Sequence, residues 1–320
     1  MQDTAPQANS KPLFVLLTPL PTWRGTGQAI REGIGIRRLA PLECEAVKRS
    51  EELLQHHDIG ESAISGHWLC YEFENSYPPD NVRYRRRQEA AFKLLLHAMY
   101  AVQILVPVGA PNLLLLYRQT VDGPVLDSSQ HRPAYIGTVW ARLCDVPVSF
   151  GDEIPVLLDR LHEAFQKPIL RQQIPVWLLE QGLIAADRHI RILLWATGLD
   201  GITQSAGTGA FAERLCGLLG PDTDIFPAAA AHRKPGYRVR GVVGDLYLLR
   251  NEMAHGLPFH EKFRKTRGFI AEDGEPISDE FAKYRYDQVL EECAGFLLCQ
   301  ALKEVFLRNC LSDAPADVPA

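Results

Sequence analysis

Three side chains with complementary chemistry crowd into Gly244 to Pro258, which reads GDLYLLRNEMAHGLP. Arg250 brings a fixed positive charge on a planar fork of donors suited to phosphate. His255 brings an imidazole, whose protonation changes near neutral pH. Asn251 adds an amide that can both donate and accept. Arg and His in a last helical turn also complement the helix dipole and need no further role. The flanking charge points toward a ligand. From His232 to Arg267, nine cationic residues (Arg233, Lys234, Arg238, Arg240, Arg250, Lys262, Arg264, Lys265 and Arg267) meet three acidic ones (Asp245, Glu252 and Glu261), a local +6 within a chain of net charge -5. This basic flank suits a phosphate ligand, and a charge-rich solvated loop would give the same count.

The motif needs a helix to hold it. Leu246, Leu249 and Met253 fall three and four apart, the spacing of one helix face, and Gly256 and Pro258 then supply a stop signal. At about 100° per residue, His255 lies about 140° around from Arg250. The two converge only if the helix end distorts or the Arg side chain bends back.

Similar patterns fill the second half. Ile154 to Gln166 predicts an amphipathic helix, and Pro175 to Leu199 a longer one with a core stripe of Leu179, Leu183, Ala186, Ile190 and Leu194. Gly207 to Leu219 predicts a third, with Thr208 as N-cap. A fourth runs from about Arg240 into the motif. After Ser278 a last long helix carries Tyr286, Leu290, Cys293, Leu297, Ala301 and Val305 at core spacing. Long helices with few strand signals predict an all-α antiparallel bundle over 151–310.

In order and spacing, RILLWATGLDGITQ (Arg191 to Gln204), FAERLCGLLG (Phe211 to Gly220) and YLLRNEMAHG (Tyr247 to Gly256) resemble Apea-like HEPN domains, whose signature is R-N-x-x-x-H. The likeness spans about Pro175 to Asn309. Asp200 stands where these domains often carry Glu, and Arg214 at a commonly basic position. The resemblance implies metal-independent RNA cleavage, in which a ribose 2′-hydroxyl attacks its neighbouring phosphate. His255 would then move the proton, Arg250 would stabilise the phosphoryl oxygens, and Asn251 would orient His255 or bind the phosphate. Asp200 would position Arg250. It further implies a homodimer with two helix ends facing one another, RNA as substrate, no cofactor and no metal, and a defence or stress role. The alternative within the same family is a non-catalytic module that binds RNA or a partner protein.

The first half predicts an α+β domain over 13–150. Leu13 to Thr18, His67 to Phe73, Leu113 to Tyr117 and Tyr135 to Arg142 read as strands, with a polar loop after Tyr117. Glu43 to His56 and Arg83 to Val106 read as helices. The second opens with Arg83, Arg85, Arg86 and Arg87, which oppose the helix dipole and would suit RNA or an acidic partner. Gly25, Gly27, Gly33 and Gly35 form no phosphate loop, because no G-x-x-x-x-G-K-S/T follows and Ile30 breaks G-x-G-x-x-G. A glycine-rich loop or hairpin is expected instead. Gly207, Gly209 and Ala212 follow a helix, where a dinucleotide fingerprint requires a strand. This domain would bind a regulatory ligand or protein.

Apolar content of 46% and charged content of 23% are those of an ordinary globular chain. Seven cysteines without a C-x-x-C, and adjacent His56 and His57, make neither a disulfide framework nor a metal site. Residues 1–12 read as a frayed leader and 311–320 as a disordered tail. The odd number of cysteines fits the reduced thiols of a cytoplasmic protein. The apolar tract from Ala90 to Val106 is interrupted by Lys93, His97 and Gln103, so no membrane span is expected.

Overall fold

A continuous apolar run needs cover on both faces, and Leu13–Leu20 (β1) finds it inside a six-stranded antiparallel sheet. The computed structural model describes residues 13–20, 23, 26–49, 64–105, 113–131, 153–167, 170–205, 207–226, 237–256 and 279–308. The other strands are Gln28–Arg31 (β2), Ile34–Arg37 (β3), His67–Glu74 (β4), Leu113–Thr120 (β5) and Gly123–His131 (β6), in the order β2-β3-β4-β1-β5-β6. The helices are Pro41–Arg49 (α1), Val82–Leu105 (α2), Glu153–Gln166 (α3), Leu170–Ile184 (α4), Arg188–Thr203 (α5), Thr208–Leu219 (α6), Val239–Ala254 (α7) and Asp279–Arg308 (α8).

Alternation along β1 splits its side chains between two cores. Val15 and Leu17 pack with Trp68, Leu115, Tyr117 and the α1 residues Ala46 and Val47. Phe14, on the other face, stacks on Phe73 at 5.6 Å and meets the edge of Tyr84 from α2 at 5.9 Å. The glycine-rich stretch is the β2–β3 hairpin. Gly33 turns it with φ 75°, and a Cβ there would fall 2.5 Å from the Glu72 carbonyl oxygen.

The first half departs from expectation in two places. The polar loop after Tyr117 is a hairpin into β6, an edge strand whose Asp127, Ser128 and Ser129 carry no apolar alternation. β1 also continues through Pro19 to Leu20. Pairing with β5 covers only Phe14 to Leu17, so Pro19 has a single neighbour strand and its missing N–H is tolerated. The expected strand 135–142, residues 50–63 with both adjacent histidines, the leader 1–12, the tail 311–320 and the 150/151 boundary lie outside the described residues.

Two compact units divide the chain: Met1–Met99 with Pro111–Pro133, and Tyr100–Ala110 with Ala134–Ala320. In the second, the single helix expected over 175–199 is two helices, α4 and α5. Asp187 makes the break by capping α5, accepting from the His189 and Ile190 N–H groups. The core stripe shifts accordingly: Ile190 is 48% exposed, while Ile192, Trp195, Ala196 and Leu199 are buried. Pro175 sits inside α4, one turn after its start. The N-cap of α6 is Gly207, without a side-chain bond, and not Thr208.

Close approaches fix how these helices run. Trp195 lies over Gly182, where a Cβ would be 2.1 Å from its ring nitrogen, and it donates to the Leu179 carbonyl at 3.2 Å. Gly198 lies near Leu178, so α4 and α5 are antiparallel. Gly198 also meets Leu298, and Arg191 meets Glu291, so α5 and α8 run in the same direction. The antiparallel arrangement expected throughout therefore fails for that pair. Among the described residues α6 and α7 intervene in sequence, which frees α8 to return on the same heading.

Glu291 is wholly buried and bonds Arg191 Nε and, at 2.9 Å, Arg188 Nε. Arg191 also donates to the Ala185 and Ala186 carbonyls at 2.7 and 3.0 Å. Burial pushes the Cys70 and Cys299 thiols up to about 12, so neither is a nucleophile near neutral pH. Glu291→Gln removes the buried carboxylate that Arg188 and Arg191 share, with an expected loss of about 3 kcal/mol in urea unfolding. A loss under about 1 kcal/mol would assign the triad a peripheral part.

Candidate functional site

The site forms where the end of α7 meets the end of α5. Leu246 and Leu249 bury one face of α7, which leaves Arg250 on its flank. The Arg250 guanidinium donates to Asp200 Oδ2 at 2.9 Å and to Asn251 Oδ1 at 2.8 Å. Its carbon stands 5.7 Å from the centre of the Tyr247 ring, which packs on Phe211 of α6 at 5.0 Å. The pair is largely sheltered, with the Arg250 and Asp200 side chains 26% and 17% exposed. An ion pair, an amide and an aromatic face thus set one rotamer of Arg250.

Asp200 is itself held by the end of its helix. Gln204 adopts φ 50°, and its N–H returns to the Asp200 carbonyl at 2.7 Å. Arg214 of α6 donates to the Thr203 carbonyl at 2.8 Å and to the Gln204 carbonyl. Its position in this structure is that of a cap on the last turn of α5, next to Asp200. Asp200 Oδ1 is buried with no hydrogen-bond partner among the described residues.

His255 ends α7 as its C-cap, with φ -96° and its N–H bonded to the Asn251 carbonyl at 3.0 Å. Gly256 then turns the chain with φ 64°, the left-handed stop expected from the sequence. The helix is regular up to Ala254, and Arg250 turns toward Asp200. The exposed His255 imidazole has no hydrogen bond among the described residues. The motif therefore presents an anchored guanidinium and amide with an unanchored imidazole near them on the chain.

The basic flank is less open than its charge count. Arg238 lies 3.5 Å from Asp222 and 4.0 Å from Asp224, and Arg240 lies 3.1 Å from Asp222. Arg233, Lys234, Lys262, Arg264 and Lys265 lie outside the described residues. Tyr247 and Phe211 were not anticipated as site residues. Tyr247 stands three positions before Arg250, a spacing that places ring and guanidinium on neighbouring helix positions. Glu252 Oε2, within the motif, is a carboxylate oxygen that, like Asp200 Oδ1, is buried without a hydrogen-bond partner among the described residues. No group of three or more His, Cys, Asp or Glu among the described residues forms a metal cage, and none of their helices is long and apolar enough to cross a membrane.

Compared with protein-family models, curated proteins and solved structures, the chain matches none. Its functional reading therefore rests on the residues and geometry above.

A double-mutant cycle of Asp200→Ala and Arg250→Ala, read by urea unfolding, is expected to give a coupling of about 1 kcal/mol, given the pair's partial exposure. Additive losses would mean that the two side chains do not depend on one another.

Proposed function

We propose that the chain is a metal-independent endoribonuclease of HEPN type. The observation that carries this reading is the Arg250 guanidinium, held by Asp200, Asn251 and Tyr247 on the helix that ends at the exposed His255. A guanidinium has five N–H donors. Two are committed to Asp200 and Asn251, so others remain for phosphoryl oxygens. Asn251 accepts through its oxygen and keeps its NH₂ for a second contact.

In the proposed reaction the 2′-oxygen of a ribose attacks the adjacent phosphorus. The new P–O2′ bond forms as the P–O5′ bond breaks, which yields a 2′,3′-cyclic phosphate and a free 5′-hydroxyl. The 2′-proton must leave and the 5′-oxygen must gain one. His255 serves at one of these positions. A homodimer with isologous contacts would bring a second imidazole for the other.

A second reading is a non-catalytic module that binds RNA or a partner protein through Arg250. It is favoured by one observation: nothing among the described residues orients the His255 ring. Cleavage of a mixed RNA pool in EDTA separates the two. Wild type is expected to leave 2′,3′-cyclic ends, with Arg250→Ala and His255→Ala each slower by about a hundredfold or more and still folded. RNA bound without cleavage, equally by wild type and His255→Ala, would select the binding module.

A further inference from the structure

We propose that the start of α2 carries a binding surface for a single-stranded polynucleotide, separate from the α7 site and independent of the ribonuclease reading. Val82 to Gln88 contains Arg83, Arg85, Arg86 and Arg87 and no acidic residue. All four arginines are exposed. Arg37, Arg188, Arg191, Arg238 and Arg250 each meet a carboxylate, whereas Arg38, Arg49 and Arg118, like the four on α2, form no ion pair among the described residues. Among the described residues the four on α2 meet none, and Arg87 donates only to the Glu74 backbone carbonyl, at 3.4 Å.

Placement and surroundings identify the ligand. Arg83, Arg86 and Arg87 are three and four apart, so they share one helix face with Cβ atoms about 5–6 Å from one another. Tyr84, between them in sequence, is buried against Phe14 of the sheet. The cluster sits in the first turns, where the helix dipole is positive and where cations are disfavoured. This placement works against helix stability and adds to the field an anion meets.

An aromatic platform stands beside these charges. Tyr77 is 39% exposed, with the Arg83 guanidinium 5.9 Å from its ring centre. Its loop is fastened to the helix by Asn75, which is 1% exposed. Asn75 donates to the Tyr84 carbonyl at 3.2 Å and accepts from the Tyr77 N–H at 3.4 Å. Asn81 then caps α2 by accepting from the Arg83 N–H at 2.8 Å. A row of guanidinium groups beside an exposed ring matches a phosphate backbone with unstacked bases. An acidic peptide or a lipid headgroup layer would use the charges and leave the ring without a role.

The test is binding of labelled oligouridylate, and of oligothymidylate of equal length, to the full chain carrying His255→Ala so that no substrate is consumed. Inorganic polyphosphate, polyglutamate and phosphatidylserine vesicles are the comparison ligands. The exposed-site triple change Arg83→Gln, Arg86→Gln, Arg87→Gln is expected to weaken oligonucleotide binding about tenfold or more. It should also make the log–log salt slope shallower by about 2, since each phosphate contact on a single strand contributes about 0.7. Tyr77→Leu is expected to weaken oligonucleotide binding about fivefold or more and leave polyphosphate binding unchanged. Unchanged affinity and salt slope in the triple variant would overturn the proposal. So would a preference of the parent for vesicles or polyglutamate, or equal effects of Tyr77→Leu on oligonucleotide and polyphosphate. These readouts measure binding alone, so absence of cleavage would leave them intact.

Discussion

The second unit depends on the wholly buried carboxylate of Glu291 and the two arginines of α5 that meet it. A charge taken out of water is tolerated only beside a well-placed counter-charge, with a penalty of several kcal/mol otherwise. That requirement fixes register in a way that apolar packing does not. Sliding α8 by one residue would carry Glu291 about 100° around its axis and away from both guanidinium groups. Arg191 then extends the same constraint to a third segment through the Ala185 and Ala186 carbonyls at the end of α4. Gly182 and Gly198 set how closely the helices approach, and the ion triad sets how they align.

The order imposed at one end of α5 reaches the other because the helix is stiff. Its 16 residues make a rod of about 24 Å. The far end is closed by the left-handed Gln204 and by Arg214 on the last carbonyls. Asp200 sits inside this closed turn and passes the order to Arg250. Arg214 and Asp200 thus serve one purpose through different bonds, the first holding the turn and the second holding the guanidinium.

Much of this was legible in the sequence. The apolar run of β1, the β2–β3 hairpin and the stop at Gly256 follow from local rules that tertiary packing did not override. The end-capping role of Asp187 was missed because the apolar stripe continued in phase past it. β6 was missed because an edge strand needs no apolar face. At the candidate site, R-N-x-x-x-H drew attention to Arg250 and Asn251, which the structure joins. It also drew attention to His255, which the structure does not join to them through its side chain among the described residues. Asp200 was named on a resemblance alone. The rotamer of Arg250 was not legible, since it depends on Asp200 fifty positions away. Nor was the pairing of Arg238 and Arg240 with Asp222 and Asp224, which a one-dimensional charge count includes as an open basic flank.

The two arginine-bearing helix ends differ in a way that bears on what each is for. At the start of α2 the guanidinium groups and the helix dipole add, and none of the four arginines forms an ion pair with a carboxylate among the described residues. Such a site attracts a polyanion over a Debye length of about 8 Å at physiological salt. At the end of α7 the dipole is negative and Asp200 offsets the charge of Arg250 itself. What remains is a set of directed donors with a fixed rotamer. Donors of that kind gain most where charge develops on an oxygen they already face, and gain little from a phosphate merely arriving. The anchored donors at α7 and the exposed guanidinium groups at α2 thus differ in kind, the first directional and the second acting through charge at a distance.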